Sequence, residues 1–231
     1  AAVRRQFPGI HVLHGLEVDI LADGALDLED HGLAMLDWVI VSLHSRLDQP
    51  AEVVTERVLK ALAHPRVCAM AHPTGRLIGS REPAAFDMDR VLGRAAELGV
   101  AMEINSQPDR MDLKDTHARL AREKGVRLVI DTDAHSVAQL ENIRFGVFNA
   151  RRAGLTKADV LNTLPYERFA ERLRRPGKPV AAGAKGSPAP ATAPSKPATR
   201  RAGAAAKPVR ASAKEAAASR LKPRPARAKK R

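Results

Sequence analysis

The chain has 231 residues, of which 44% are hydrophobic and 3% aromatic, and its formal net charge at pH 7 is +13. This length allows one domain with a buried core, and no apolar run approaches the ~18–20 residues of a membrane-spanning helix. The only cysteine, Cys68 in the run RVCAM, excludes an internal disulfide framework and indicates a small core side chain. The first residues, AAVRRQFPGI, lack an initiator Met and the apolar region of a signal peptide, so we expect the chain to begin inside a larger protein.

The positive charge is concentrated at the C-terminal end. Residues 176–231 hold 15 of the 39 basic residues and one of the 26 acidic residues, a net charge of +14, whereas residues 1–175 carry a net charge of −1. The C-terminal segment is rich in Ala, Pro, Lys and Arg and has no aromatic residue, so it cannot bury enough apolar surface to offset its ordering entropy. We therefore predict a near-neutral domain over 1–175 and a disordered basic tail over 176–231.

Within the predicted domain, short apolar runs alternate with longer amphipathic segments. The runs predict strands at 10–20, 38–42, 67–71, 100–105 and 127–131. The amphipathic segments predict helices at 28–36, 51–63, 87–98, 114–124, 136–153 and 157–163, the last capped by Thr156. This alternation predicts an α/β fold with βαβ units and a mostly parallel sheet or barrel. The runs at 38–42 and 127–131 are apolar enough for burial on both faces of the sheet.

Side chains of the metal-binding type stand at or near the ends of the predicted strands, where α/β barrels carry their functional residues. They are Glu17, His44, His72, Glu103, Asn105, Asp133 and His135. Mixed histidine and carboxylate ligation suits zinc, manganese or iron better than calcium or magnesium. The set therefore predicts a transition-metal site at the mouth of a barrel.

Each member of this set also has a structural interpretation. A single histidine after a strand is often a hydrogen-bonded loop residue, Pro-Thr-Gly after His72 is compatible with a simple turn, and Glu17 alone is compatible with an ion pair. Asp131 and Asp133 resemble a polymerase Asp-x-Asp pair, but a two-carboxylate phosphoryl-transfer site needs more acids on neighbouring strands, which disfavours this interpretation. His14 lies on the strand face opposite Glu17. The other histidines are interpreted as surface or helix-end residues: His11, His31, His64 and His117.

Five segments resemble, in order, motifs of the PHP (polymerase and histidinol phosphatase) domain, in the version fused to bacterial family X DNA polymerases. They are GLEVDILADGALDL, DWVIVSLHS, AHPTGR, EINSQPDRMDL and IDTDAHS with NIRFGVFNARRAGLTKADVLNT, and the resemblance as a whole extends over about residues 8–175. The resemblance implies a distorted (β/α)7 barrel, a multinuclear metal cluster and phosphoesterase chemistry that includes 3′–5′ exonuclease activity on DNA. The family's metal-ligand positions fall on Glu17, His44, His72, Asp133 and His135, with Glu17 and Asp133 as catalytic carboxylates.

Further contacts to substrate are expected around this cluster. Arg76 and Arg110 follow predicted strand ends and are candidates to hold a phosphate by a bidentate fork, with Asn105 as a third substrate-binding residue; for either arginine a surface ion pair is the alternative. The tail residues expected to bind nucleic-acid phosphates are Lys222, Arg224, Arg227, Lys229, Lys230 and Arg231. These features predict a DNA-binding, nucleoid-associated protein of the bacterial cytoplasm.

The start of the chain departs from the family pattern. PHP domains open with a His-x-His motif, and this sequence contains none; nor does it contain the polymerase and helix-hairpin-helix modules that lie further upstream. We therefore expect a fragment: a partial barrel with an incomplete metal cluster, poorly stable and weakly active or inactive alone. Two alternatives remain open, a free-standing phosphatase acting on a phosphomonoester such as histidinol phosphate, and a degenerate scaffold with a nucleic-acid-binding tail.

Overall fold

The computed structural model describes residues 5–173, and within them five parallel strands form one sheet in chain order. The strands are β1 (Gly15–Asp19), β2 (Trp38–Ser42), β3 (Ala69–Met70), β4 (Ala101–Asn105) and β5 (Leu128–Asp131). The helices are α1 (Asp30–Ala34), α2 (Ala51–Leu62), α3 (Met88–Leu98), α4 (Asp115–Glu123), α5 (Ile143–Arg152) and α6 (Tyr166–Leu173), with 3-10 turns at Val137–Asn142, Lys157–Asp159 and Leu161–Thr163. This confirms the α/β prediction and is compatible with a partial (β/α) barrel. The predicted tail, 176–231, lies outside the described residues.

Each of the first four helices lies between two consecutive strands, as the crossover of a parallel pair requires. α2 buries Val54, Val58 and Ala61, which recur every three to four residues and form one apolar stripe. The Asp87 carboxylate accepts a hydrogen bond from the Arg90 amide at 3.0 Å where α3 begins, and Gly99 ends that helix with φ 65°.

The two faces of the sheet pack against different elements, because successive strand residues point to opposite sides. One face contributes Val18, Val41 and Met102 to the main core, which also contains the buried stripe of α2. The other face contributes a smaller apolar cluster built on Ala69, Ala101 and Val129 and covered by Leu161 and Phe169. In β5, Leu128 and Val129 belong to different clusters and both are buried, so the predicted burial on both faces is confirmed for this strand.

Several predicted elements are shorter than the sequence pattern indicates. The first strand covers only Gly15–Asp19, since the two backbone polar groups of His14 bond to Asp37 rather than continuing a regular ladder. The predicted helix 136–153 begins as a 3-10 turn and becomes α-helical at Ile143, and 157–163 forms two 3-10 turns. Helix α6 was not predicted from the sequence.

The two edge strands of the sheet differ in whether other groups bond to their outer backbone. The Asn162 side chain bonds to both backbone groups of Ile130 in β5, with Nδ2 to O at 2.6 Å and Oδ1 to N at 3.1 Å, and Val160 forms a parallel bridge with Leu128. β1 pairs only with β2 among the described residues, and Gly15, Leu16 and Glu17 on it are exposed. Within residues 5–173, β1 is therefore the edge strand whose outer side no strand pairs with, as in an open barrel.

Candidate metal centre

The acids at the carboxyl ends of the strands lie on the sheet face that carries the smaller apolar cluster. The register pairs Glu17 with Ile40, Ile40 with Ala69 and Ala69 with Ala101. Glu103 lies two residues after Ala101 and therefore on the same face. Parallel pairing thus brings ligand-type side chains from separate segments to one end of one face, as the strand-end argument predicts.

Three of the predicted ligands form a compact group. Glu17 Oε1 lies 2.8 Å from His72 Nε2 and 3.4 Å from His44 Nε2, and one ligand atom from each residue lies within 4.8 Å of the others. The two imidazole rings are tilted, with centroids 5.2 Å apart. One carboxylate and two imidazole nitrogens form a donor set that fits zinc, manganese or iron.

Two polar side chains from residues that precede His44 in the sequence lie next to its Nδ1, the ring nitrogen that does not face Glu17. Its Nδ1 lies 2.6 Å from Asp19 Oδ1 and 3.3 Å from Ser42 Oγ. A carboxylate on one ring nitrogen fixes the tautomer and presents the other nitrogen to a metal, the arrangement common around metal-binding histidines. Asp19 was not selected from the sequence, although its spacing of two from Glu17 places both carboxylates on one strand face.

The charge state of Glu17 also suits metal binding. Partial burial raises the pKa of Glu17, but a hydrogen bond and positive charge from His72, with smaller contributions from Ser42 and His44, outweigh it and lower the pKa to about 2. The carboxylate is therefore ionised at neutral pH. Glu17 itself therefore has no proton to release when it binds a cation.

His72 is the most enclosed member of the group. It is 1% exposed and has φ 24°, a backbone conformation uncommon for residues other than glycine. Its backbone N–H donates a short hydrogen bond to Glu103 Oε2. Its ring Nδ1 is buried with no hydrogen-bond partner among the described residues.

The carboxyl ends of β4 and β5 carry a second group of acids, Glu103 and Asp131, which bond to each other and to neighbouring backbone and amide groups. Burial, followed by the neighbouring charge of Asp131, raises the pKa of Glu103 well above its ordinary value, and burial also raises the pKa of Asp131. The two side chains share a hydrogen bond. One proton held between them, on Glu103, avoids placing two negative charges in the interior.

Asp133 and His135 do not join the three-residue group. Asp133 has φ 45°, and its Oδ2 accepts from Asn105 Nδ2 at 3.1 Å and lies 3.7 Å from Arg110 Nε. The His135 side chain is 80% exposed, with Nδ1 2.8 Å from the Asp133 carbonyl oxygen. β5 is the far edge of the sheet from β1. Metal ligation by these two residues stays a prediction.

The three predicted substrate-binding residues have different surroundings. Arg76 donates from Nε to the Arg110 carbonyl at 2.8 Å and from Nη2 to the Met111 carbonyl, so it braces the loop after β4. Arg110 has a buried Nη1 with no hydrogen-bond partner among the described residues. Asn105 is fully buried, and its amide nitrogen already donates to Glu103 and Asp133.

The described helices include none that is both long and apolar enough to cross a bilayer.

No protein-family model matches the chain. It is 42% identical over 174 residues to the DNA polymerase/3′-5′ exonuclease PolX of Bacillus subtilis, which covers 75% of this chain and 30% of that protein. A probable phosphatase of Thermoanaerobacter sp. strain X514 is 30% identical over 67% of this chain and 65% of its own length. A probable phosphatase of Acetivibrio thermocellus is 30% identical over 72% and 70%, respectively.

The chain belongs to the PHP family. The similarity to PolX and to the probable phosphatases confirms the resemblance inferred from the five motifs. It also supports a PHP-type phosphoesterase as the general class of this domain. The chain spans less than a third of the Bacillus protein and about two thirds of the Thermoanaerobacter phosphatase.

Proposed function

We propose that this PHP domain is a metal-dependent phosphoesterase that hydrolyses DNA phosphodiesters from the 3′ end. The observation that carries the proposal is the group of Glu17, His44 and His72, which offers one carboxylate oxygen and two imidazole nitrogens within 4.8 Å. The name of the Bacillus relative, DNA polymerase/3′-5′ exonuclease, supports DNA as the substrate.

In this proposal Glu17, His44 and His72 hold the metal, and Asp133 and His135 complete the cluster. A divalent metal bound there would lower the pKa of a water and polarise a phosphoryl oxygen. Glu17 binds it as a carboxylate that is already ionised, and Asp19 keeps the His44 ring in one orientation. Asp133 would act as the second catalytic carboxylate.

The neighbouring arginine and amide groups would bind and orient the substrate. Arg110 lies 3.7 Å from Asp133 and has a buried guanidinium nitrogen without a partner among the described residues, so it suits a phosphate oxygen placed beside Asp133. Asn105 would act through Asp133, since its amide donates to that carboxylate. Arg76 would hold the loop that presents Arg110.

A phosphomonoesterase is the second candidate, because relatives at 30% identity carry the name probable phosphatase.

The experiment that distinguishes these functions uses the 231-residue chain with manganese or zinc, a 5′-labelled oligothymidylate, and histidinol phosphate. Stepwise shortening from the 3′ end supports the exonuclease, phosphate release from histidinol phosphate alone supports the phosphomonoesterase, and neither activity with no bound metal supports a scaffold. Glu17→Gln is the inactive reference, and Glu52→Gln, which alters a surface ion pair with Arg90, is the matched control.

We also propose that the basic segment 176–231 binds the phosphates of DNA or RNA by charge. Its net charge of +14 and its lack of aromatic residues favour electrostatic binding without base stacking. The C-terminal cluster that includes Lys222, Arg224 and Lys230 has the highest local charge density. Affinity for a random duplex should fall steeply with salt in the whole chain; equal affinity after deletion of 176–231 would contradict the proposal.

A further inference from the structure

A cavity of about 200 Å³ opens between the loop after β3 and the start of α4. Its lining includes the side chains Thr74, Arg76, Arg81, Glu82, Lys114 and His117, and we refer to it as the basic cavity. None of these residues belongs to the group formed by Glu17, His44 and His72. A water molecule needs roughly 10–15 Å³ of such space, so the cavity has room for a larger hydrated group.

We propose that the basic cavity is a binding site for a phosphate group. Three cationic side chains line it, those of Arg76, Arg81 and Lys114, against one carboxylate, that of Glu82. A phosphate carries close to two negative charges and presents acceptor oxygens in several directions, which suits donors converging from separate elements. This proposal concerns binding alone and does not depend on metal-assisted hydrolysis.

The three cations lack the carboxylate partners that several surface cations of this domain have. Arg90 pairs with Glu52 and Glu56, Arg94 with Glu97 and Lys124 with Asp89 on the surface. Within residues 5–173, no ion pair joins Arg76, Arg81 or Lys114 to a carboxylate. The buried Asp112 carboxyl interacts electrostatically with Arg76, and Glu82 is the carboxylate in the lining. The cavity therefore keeps an excess of positive charge that an anion would neutralise.

The donors in the cavity are already oriented. Arg81 donates from Nε to the Gly75 carbonyl at 2.7 Å, which fixes its guanidinium and leaves both terminal nitrogens for a bidentate contact. Arg76 uses Nε and Nη2 on the loop carbonyls, so Nη1 remains without a bond among the described residues. A fork that is held in place loses less entropy when it binds an oxyanion.

His117 supplies a second, independent indication. Its Nδ1 is buried and has no hydrogen-bond partner among the described residues. Burial, with the charges of Lys114 and Arg76, lowers the pKa of His117, so the ring is neutral at pH 7 and free to donate or accept one hydrogen bond. An anion in the cavity would offset the charges of Lys114 and Arg76 that act on this ring.

Thr74 lines the basic cavity and lies near the metal-centre end of the sheet, but it has no donor left for a ligand in the cavity. Its hydroxyl and backbone N–H both donate to Asp112 Oδ2, at 2.9 and 2.8 Å. Thr74 follows His72 by two residues, so the cavity and the candidate metal centre share the loop after β3. A phosphodiester of a bound strand and free phosphate both present anionic phosphoryl oxygens to such a site, the diester with one negative charge and free phosphate with close to two.

The test is a titration of the 231-residue chain with inorganic phosphate, in EDTA, observed through the ring resonances of carbon-13-labelled histidine. The His117 resonance is assigned by its loss in His117→Gln, so binding to the basic tail does not register. We expect a saturable shift of this resonance that sodium chloride at equal ionic strength does not produce. Lys114→Gln should weaken the apparent affinity about tenfold, as loss of one charge-assisted contact implies, and Arg81→Gln should do the same.

Arg94→Gln is the matched control, because it removes one positive charge from an exposed ion pair on α3. It should leave the titration unchanged. If Arg81→Gln fails to fold, as judged by the remaining histidine resonances, Lys114→Gln decides, since the Lys114 side chain makes no hydrogen bond among the described residues. A non-saturating shift, or equal affinity in Lys114→Gln and the parent chain, would overturn the proposal.

A second arm replaces phosphate with an oligothymidylate that has hydroxyl groups at both ends. If only inorganic phosphate shifts the His117 resonance, the cavity binds free phosphate; if the oligonucleotide also shifts it, the cavity binds phosphates of a strand. Either result supports a phosphate site, and absence of a shift with both ligands excludes it. If the parent chain shows no hydrolysis in a separate assay while phosphate still shifts its His117 resonance, only the exonuclease proposal is contradicted.

Discussion

The two halves of the sheet's carboxyl end hold their acids in opposite ways. At the ends of β1–β3, two histidines keep Glu17 ionised, with a pKa of about 2. At the ends of β4–β5, Glu103 and Asp131 share a hydrogen bond, and burial raises the pKa of each. In the first half the Glu17 carboxylate is charged and can bind a cation. In the second half the carboxyl groups of Glu103 and Asp131 hydrogen-bond to each other and to the backbone.

This difference shows that an acid at a strand end is not by itself a ligand. Glu17 is partly exposed and faces two imidazole nitrogens, so its charge is available. Glu103 is 3% exposed and accepts hydrogen bonds from the His72 backbone and Asn105 Nδ2, so its oxygen is already occupied. The second group therefore supports the first by holding His72 in place, and its mutation should affect stability more directly than metal affinity.

The largest expected effect on metal binding comes from Glu17→Gln. The change removes the only carboxylate of the three-residue group, and loss of a direct ligand should weaken affinity for zinc or manganese more than the ~100-fold that second-sphere changes reach. Isothermal titration calorimetry on the whole chain measures it. Glu52→Gln, on the surface of α2, should bind metal as the parent does. Unchanged affinity in Glu17→Gln would mean that Glu17 forms only an ion pair.

The largest expected effect on stability comes from Glu103→Ala. It leaves the His72 N–H and one of the two N–H groups of Asn105 Nδ2 without an acceptor, and it opens a buried cavity beside Asp131. We expect a loss of about 2–4 kcal/mol in the free energy of unfolding, measured by urea denaturation in EDTA. A cost below that of an exposed Glu97→Ala control would show that Glu103 does not support His72.

The raised pKa of Glu103 also predicts a pH dependence. Because the folded state binds the Glu103 proton more tightly than the unfolded state does, its stabilising contribution is complete below the ordinary value of 4.5 and is lost as pH rises towards the folded pKa. Glu17 has the opposite sign: its contribution is present above 4.5 and is lost as pH falls towards 2. The stabilising contribution of Glu103 should therefore be lost as pH rises, and that of Glu17 as pH falls.

Glu103→Gln tests this, because an amide imitates the protonated carboxyl group. The stability of the variant relative to the parent should increase from pH 5 to pH 8, with a slope of at most about 1.4 kcal/mol per pH unit for one proton. Urea denaturation in EDTA at a series of pH values gives this difference. A difference that is constant with pH would show that Glu103 is ionised in the folded protein.

The same contrast explains what the sequence predicted and what it did not. Glu17, His44 and His72 were predicted together because parallel strands bring their carboxyl ends to one edge, which follows from the order of elements alone. The positions of Asp133 and His135 depend on the chain after β5, where φ 45° at Asp133 breaks the strand alternation and leaves His135 exposed. No periodicity in the sequence encodes that turn.

The basic cavity illustrates a second kind of omission, because Arg76 is the one residue of its lining that the sequence predicted as a phosphate contact. Arg81 comes from the loop after β3, whereas Lys114 and His117 come from the start of α4. In the sequence these residues have no shared spacing, and His117 was interpreted as a surface or helix-end residue. Their association depends on how a loop of irregular backbone folds over a helix, which local patterns do not determine.

The smallest expected effect concerns the edges of the sheet. Asn162 bonds to the backbone N–H and carbonyl of Ile130, as a neighbouring strand would, so Asn162→Ala should expose one donor and one acceptor of β5. Because Asn162 is exposed, water replaces part of the loss, and we expect a cost of about 1–2 kcal/mol in the free energy of unfolding. Lys157→Ala, a truncation of an exposed side chain in the preceding turn, is the control. Equal melting temperatures for the two variants would mean that Val160 alone closes β5; a lower one for Asn162→Ala would show that this edge is stabilised by a side chain, while β1 has no counterpart among the described residues.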